Sequence, residues 1–200
     1  GLMGFSLLIL SGTRKFSRFG LDAALIQKAE RDVDSYLDTT WCLEVGRGVA
    51  LCGVLYAVAP VAASQFGEPT ATPLIRTLGL VPLIHGLRNP AVVYFEKDLA
   101  FHKSFIYQSS GGLAQLVVGI GYALYSPTVW ALVAASLAKP AARTTMSYLL
   151  DDFRPFPKPG LGAAKELIQF GKWMTGGSIL GFLYSEGDDA FVGWFLSATA

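Results

Sequence analysis

The chain has 200 residues, of which 52% are hydrophobic and 16% charged, with a formal net charge of +1. An ordinary soluble domain carries about 25% charged residues, so the charge here is too sparse for a fully solvated surface, and no basic patch of the nucleic-acid-binding kind is present. The two cysteines, Cys42 and Cys52, share one apolar run at a spacing that makes neither a disulfide framework nor a zinc signature, and they read as small buried hydrophobes.

A helix needs about 20 mostly apolar residues to cross the hydrocarbon core of a membrane. Gly1–Gly12 is shorter and predicts the end of a truncated span; no Met precedes it and no cleavable signal peptide is visible. Thr13–Asp38 is polar and mixed, and its Phe16, Phe19, Leu21, Leu25 and Ile26 alternate with charges as in an interfacial or re-entrant segment. Asp38, Thr39 and Thr40 are candidate helix N-caps before Trp41. A second span is predicted over about Trp41–Phe66, closed by the Gly67-Glu68-Pro69 turn. A third runs over about Pro73–Phe95, with Pro82 expected to kink it and Pro90 near its end. The fourth, about Ser104–Tyr125, is rich in Gly and Ser. Ser126-Pro127 turns into a fifth, about Thr128–Leu150, with Trp130 and Tyr148 near opposite interfaces. Asp151–Gly162, with Pro155, Pro157 and Pro159, has the composition of a linker. Lys165–Lys172 forms an amphipathic lead-in to a sixth span from Trp173, and the sequence is still apolar over Ala190–Ala200. We therefore expect an all-α polytopic transmembrane bundle of about six spans, belonging to a chain longer at both ends.

Most of the sixteen Lys and Arg residues fall in three stretches: Arg14 to Arg31, then Arg88, Lys97 and Lys103, then Arg154, Lys158, Lys165 and Lys172. The turns between them, near Gln65–Thr72 and Ser126–Val129, carry none. Threaded through a membrane, the basic stretches lie on one side and the neutral turns on the other, which is the positive-inside pattern. Arg47, Arg76, Lys139 and Arg143 remain inside apolar runs, where a charge is costly and usually faces a cavity or a partner.

Glu44 and Arg47 are three residues apart and share a helix face, either as a local ion pair or as part of an aqueous cavity lining. Lys139 and Arg143 are four apart and repel, so something must compensate them. Arg143 has an alternative in reaching for the interface; Lys139, near mid-span, is the better candidate for a cavity. Arg76 is open to either role, and Arg88 reads as a topogenic charge. Glu186, Asp188 and Asp189, about halfway through the last span, must pair, bind a cation or take up protons, so they are candidates for proton or sodium coupling or for a structural pair. Enzymatic signals are weak. Ser136 and Lys139 match S-x-x-K by letter without its companion motifs, and His85 and His102 are isolated.

Several stretches together resemble the bacterial oligosaccharide and polysaccharide flippases of the multidrug/oligosaccharidyl-lipid/polysaccharide exporter superfamily. They are Phe19-Gly-Leu-Asp-Ala-Ala-Leu-Ile-Gln27, Leu37-Asp-Thr-Thr-Trp-Cys-Leu43 with Arg47-Gly48, and Leu87-Arg-Asn-Pro90. Val129-Trp-Ala-Leu-Val133, Phe170-Gly-Lys-Trp173 and Gly187-Asp-Asp189 follow in the same order. The heavily charged Thr13–Arg18 stretch departs from the pattern, where the family's second helix would continue. The resemblance implies a two-lobe transporter of the bacterial inner membrane. Residues 1–150 would be its N-terminal lobe, 151–164 a cytoplasmic interlobe linker, and 165–200 the start of the C-terminal lobe. It implies movement of undecaprenyl-diphosphate-linked oligosaccharide between leaflets for O-antigen, capsule or exopolysaccharide assembly, driven by a proton or sodium gradient. No enzymatic cofactor is implied, and the partners are the lipid-linked oligosaccharide, membrane lipids and a polysaccharide polymerase. Arg47, Arg76, Lys139 and Arg143 would then contact the anionic headgroup, and Glu186, Asp188 and Asp189 would couple the ion. A drug/cation antiporter of the same superfamily and a membrane enzyme acting on lipid-linked sugars are the alternatives. The first favours acidic and aromatic cavities, and the second needs a large catalytic loop that the short turns do not supply. A non-catalytic helical scaffold would have no use for buried charges.

Overall fold

The structure is a computed structural model, and it describes residues 33–65, 71–158, 160 and 162–169. Among these residues every regular element is helical. Helix α1 is Val33–Gln65, α2 is Thr72–Leu78 and α3 is Leu80–Gly86. A 3-10 turn, Pro90–Val92, leads into the short α4, Val93–Lys97; α5 is Phe101–Tyr125 and α6 is Val129–Leu150. A further helix, α7, covers 162–169.

The third expected span is not one helix. Pro82 has no N–H to give the Leu78 carbonyl and its ring crowds that carbonyl. The helical run accordingly breaks at Gly79, one turn ahead of the proline, into α2 and α3. It ends at Gly86 rather than near Phe95. Asn89 precedes Pro90 and is held extended, with ψ of 119°; its side-chain oxygen then caps the 3-10 turn by accepting the Ala91 N–H at 3.0 Å. The α4–α5 corner turns on Leu99, whose φ of 54° is left-handed. Helices are present over the second, fourth and fifth expected runs, with shifted ends: α1 begins eight residues before Trp41, α5 three residues before Ser104, and α6 one residue after Thr128.

The helices pack as a row. α1 lies against α2 and α3, these lie against α6, and α6 lies against α5. Small apolar clusters fill the seams: Ala59, Ala63, Ala71 and Ile75 between α1 and α2, and Leu74, Leu78, Val81 and Val133 between α2–α3 and α6. The outer faces of the row remain apolar and open, with Val54, Tyr56 and Val61 on α1 and Phe105, Leu113, Val117 and Leu124 on α5. In α1, Tyr36–Ser64 has a mean hydropathy of 1.6 and is long and apolar enough to cross a membrane; it is the one such helix among the described residues. Helices α5 and α6, of 25 and 22 residues, have the length. Their middles are diluted by Gln108, Ser109 and Ser110 in one and by Lys139, Arg143 and two threonines in the other.

One end of the row gathers the start of α1, the end of α3 and the end of α6. Tyr148 donates its hydroxyl to the Leu87 carbonyl at 2.9 Å, and buried Asn89 donates through Nδ2 to the Phe153 carbonyl at 2.8 Å. The basic stretches around Arg88 and around Arg154 therefore meet at one end. The loop after α6 is a strap across that end. Phe156 N–H donates to Asp38 at 2.7 Å, and Gly160 N–H donates to Thr39 Oγ1 at 2.9 Å. The N-cap role expected of Asp38, Thr39 and Thr40 is thus corrected: they lie inside α1. Thr40 donates back to the Tyr36 carbonyl at 2.8 Å, and the other two hold a distant loop. Tyr36 extends the strap by donating to Glu166 on α7 at 3.1 Å.

Candidate functional site

The seam between α1 and α3 is held at backbone contact by two glycines. A Cβ on Gly48 would sit 2.7 Å from the Pro82 carbonyl oxygen, and one on Gly86 would sit 2.5 Å from that of Glu44. Larger residues at either place would force the helices apart, as at small-residue crossings of membrane helices. The close approach brings Glu44 on α1 onto Arg88 just beyond α3. Arg88 Nη2 donates to Glu44 Oε1 at 3.0 Å and Nε donates to Oε2 at 3.3 Å. Both side chains are buried, at 10% and 6% exposure. Such a fork-to-fork pair orients both groups and neutralises each charge in a poorly solvated place. Arg88 is therefore buried and paired with Glu44, a partner that its sequence reading as a topogenic charge did not anticipate.

Beside this pair lies a small cleft of about 10 Å³, lined by Glu44, Arg47, Gly48, Leu51, Pro82, His85 and Gly86. Arg47 and His85 give it a polar, basic wall. Its volume is about the room one water molecule needs, so in this conformation the cleft admits neither a phosphate nor a sugar.

The other expected cations are distributed over different seams. Arg76 on α2 stacks on Tyr56 of α1, with its guanidinium carbon 4.3 Å from the ring centroid. Arg143 on α6 lies over Tyr107 of α5 at 5.7 Å. In both, Nε is buried without a hydrogen-bond partner. A ring face offers a cation partial compensation at about 0.5–2 kcal/mol, and Arg76 and Arg143 each have one. Lys139 is half-buried on α6, one turn before Arg143. Arg47, Arg76 and Arg143 thus border the α1–α3, α1–α2 and α5–α6 seams respectively.

Ser136 of the S-x-x-K match is buried and donates its hydroxyl to the Leu132 carbonyl at 2.7 Å, so the helix backbone occupies it. His102 is exposed at the start of α5. Glu186, Asp188 and Asp189 lie outside the described residues, as do the first basic stretch and the sixth expected span. Among the described residues no group of three His, Cys, Asp or Glu side chains is placed to hold a metal ion. Sequence reasoning missed the Glu44–Arg88 pair, whose members are 44 residues apart; the signal that was present is an acid in the apolar run of α1, which its spacing offered to Arg47 instead.

The family model for polysaccharide biosynthesis proteins matches residues 1–200. Among curated proteins, the lipopolysaccharide biosynthesis protein WzxC of Escherichia coli (strain K12) is 28% identical over 187 residues, which is 92% of this chain. The chain spans 37% of that relative's length. No solved structure matches it.

Proposed function

Because the chain belongs to the polysaccharide biosynthesis protein family, we propose that it is part of a multi-pass inner-membrane flippase for lipid-linked oligosaccharide. The family match along the whole chain carries this reading. The relative's role in lipopolysaccharide biosynthesis supports it. A diphosphate-sugar headgroup is anionic and hydrated, and it will not enter hydrocarbon unaided. It needs a passage lined by cationic donors while its polyprenyl tail stays in lipid. Arg47 on the α1–α3 cleft, Arg76, Lys139 and Arg143 are the side chains we assign to that passage. Arginine suits it because its planar fork takes two phosphate oxygens at once.

The row of helices would form most of one lobe, 1–150, with 151–164 as the cytoplasmic linker to a second lobe starting at 165–200. Support for this orientation comes from the meeting of the Arg88 and Arg154 stretches at one end. Rocking of the two lobes would expose the passage to each leaflet in turn. We assign ion coupling to Glu186, Asp188 and Asp189, since carboxylates in an apolar run are disposed to take up protons or bind a cation. A polysaccharide polymerase is the natural recipient of the product.

The test uses the full-length protein in liposomes with a labelled undecaprenyl-diphosphate-linked sugar. Transfer between leaflets without change in the lipid's mass is expected, and Arg47→Ala or Lys139→Ala should abolish it while protein levels hold. Conversion to a product of new mass would assign an enzyme instead. Unchanged transfer in both variants would remove the cationic passage.

A further inference from the structure

Arg143 crosses from α6 to α5 through a notch that exists because residue 111 has no side chain. A Cβ on Gly111 would lie 2.8 Å from Arg143 Cγ and Nε and 3.0 Å from Cδ, well inside van der Waals contact. Tyr107 stands one turn earlier on the same face of α5, and the guanidinium carbon lies 5.7 Å from its ring centroid. Nε is shut in without a partner, so any contact with an anion falls to the terminal nitrogens. The floor of the notch is Gly111 and its wall is Tyr107; together they fix where those nitrogens sit.

We propose that Gly111 and Tyr107 are positioning residues for Arg143, holding its guanidinium in the posture that meets the phosphate of the headgroup. This rests on the assignment of Arg143 to the passage. The chemistry is specific to this glycine. At Gly48 and Gly86 an added methyl would strike main-chain carbonyls. At Gly111 the three nearest atoms, Cγ, Nε and Cδ, all belong to the Arg143 side chain, so relief comes from a change of its rotamer and not from a shift of main chain. Gly111→Ala should therefore leave the fold intact and misplace one cation.

The experiment measures sugar transfer in liposomes by the full-length protein, with protein level and thermal midpoint, for Gly111→Ala, Arg143→Ala, the double variant, Tyr107→Phe and Tyr107→Leu. Gly111→Ala is expected to lower transfer by about tenfold at normal level. The double variant should match Arg143→Ala within about twofold, because residues acting through one another are non-additive. Tyr107→Phe should retain transfer and Tyr107→Leu should lose several-fold. A packing role for Gly111 would instead lower the thermal midpoint. It would also add to the Arg143→Ala defect, and either result overturns the proposal. Normal transfer in both Gly111→Ala and Tyr107→Leu, with Arg143→Ala defective, overturns the positioning role alone. Normal transfer in Arg143→Ala removes Arg143 from the passage and the positioning role with it.

Discussion

The α1–α3 seam and the α5–α6 seam both depend on glycine, and they use it differently. At the first, Gly48 and Gly86 let two backbones touch, and the touch brings Glu44 and Arg88 into a buried fork. At the second, Gly111 makes room for a side chain, and Arg143 lies across it. Backbone contacts cannot yield without moving a helix, whereas a side chain can change its rotamer while both helices stay in place. The first seam has the character of a fixed frame. The second has that of an adjustable surface, and it is there that a cation keeps a donor without a protein partner.

The largest expected effect comes from breaking the fork. Glu44→Ala or Arg88→Ala leaves one buried charge uncompensated, which costs about 3–5 kcal/mol, and should show as a collapse in membrane level and in the thermal midpoint in detergent. Glu44→Leu with Arg88→Met removes both charges and should recover much of that loss. A double variant as damaged as the worse single one would mean the pair also does something besides neutralising itself. Next comes Gly86→Ala, whose methyl would press on the Glu44 carbonyl. Overpacking of that kind costs about 1–3 kcal/mol, and the loss of level should exceed anything seen at Gly111.

The positions of these helices were largely legible because apolar runs, prolines and neutral turns are local signals. Pro82 announced a break, and the break falls where its missing N–H puts it, at Gly79. Asn89-Pro90 marked a helix end that the apolar composition of Val92, Val93 and Phe95 concealed. The pairing of Glu44 with Arg88 was not legible, because nothing in the sequence states which helix crosses α1 at that turn. Asp38 and Thr39 misled for a related reason. The same side-chain oxygens that cap a helix can accept N–H groups from a loop over a hundred residues away. A Gly-Gly pair says nothing by itself about which member faces a neighbour.

A smaller effect is expected at the strap. Asp38→Ala and Thr39→Val each remove one acceptor for a loop N–H, at about 1 kcal/mol apiece. That is too little to unfold the frame but enough to free the loop. Hydrogen exchange at the amides of Phe156 and Gly160 should speed up, while exchange within the α1–α3 seam stays as it was. Equal acceleration in both places would mean that the strap and the frame open as one unit.

The smallest effect, and the sharpest test of the contrast, is at Gly112. It adjoins Gly111, yet a Cβ there would meet nothing within 4 Å. Gly112→Ala should cost no contact, and it exchanges a poor helix former for the best one, a gain of up to about 1 kcal/mol in an exposed helix. A slightly raised thermal midpoint with unchanged sugar transfer is the expected result. Both substitutions make the same chemical change one residue apart, about 100° around the helix axis. If they behave alike, the sensitivity belongs to α5 as a helix, through its flexibility or its lipid contacts. If only Gly111→Ala loses transfer, the sensitivity belongs to the face that Arg143 covers.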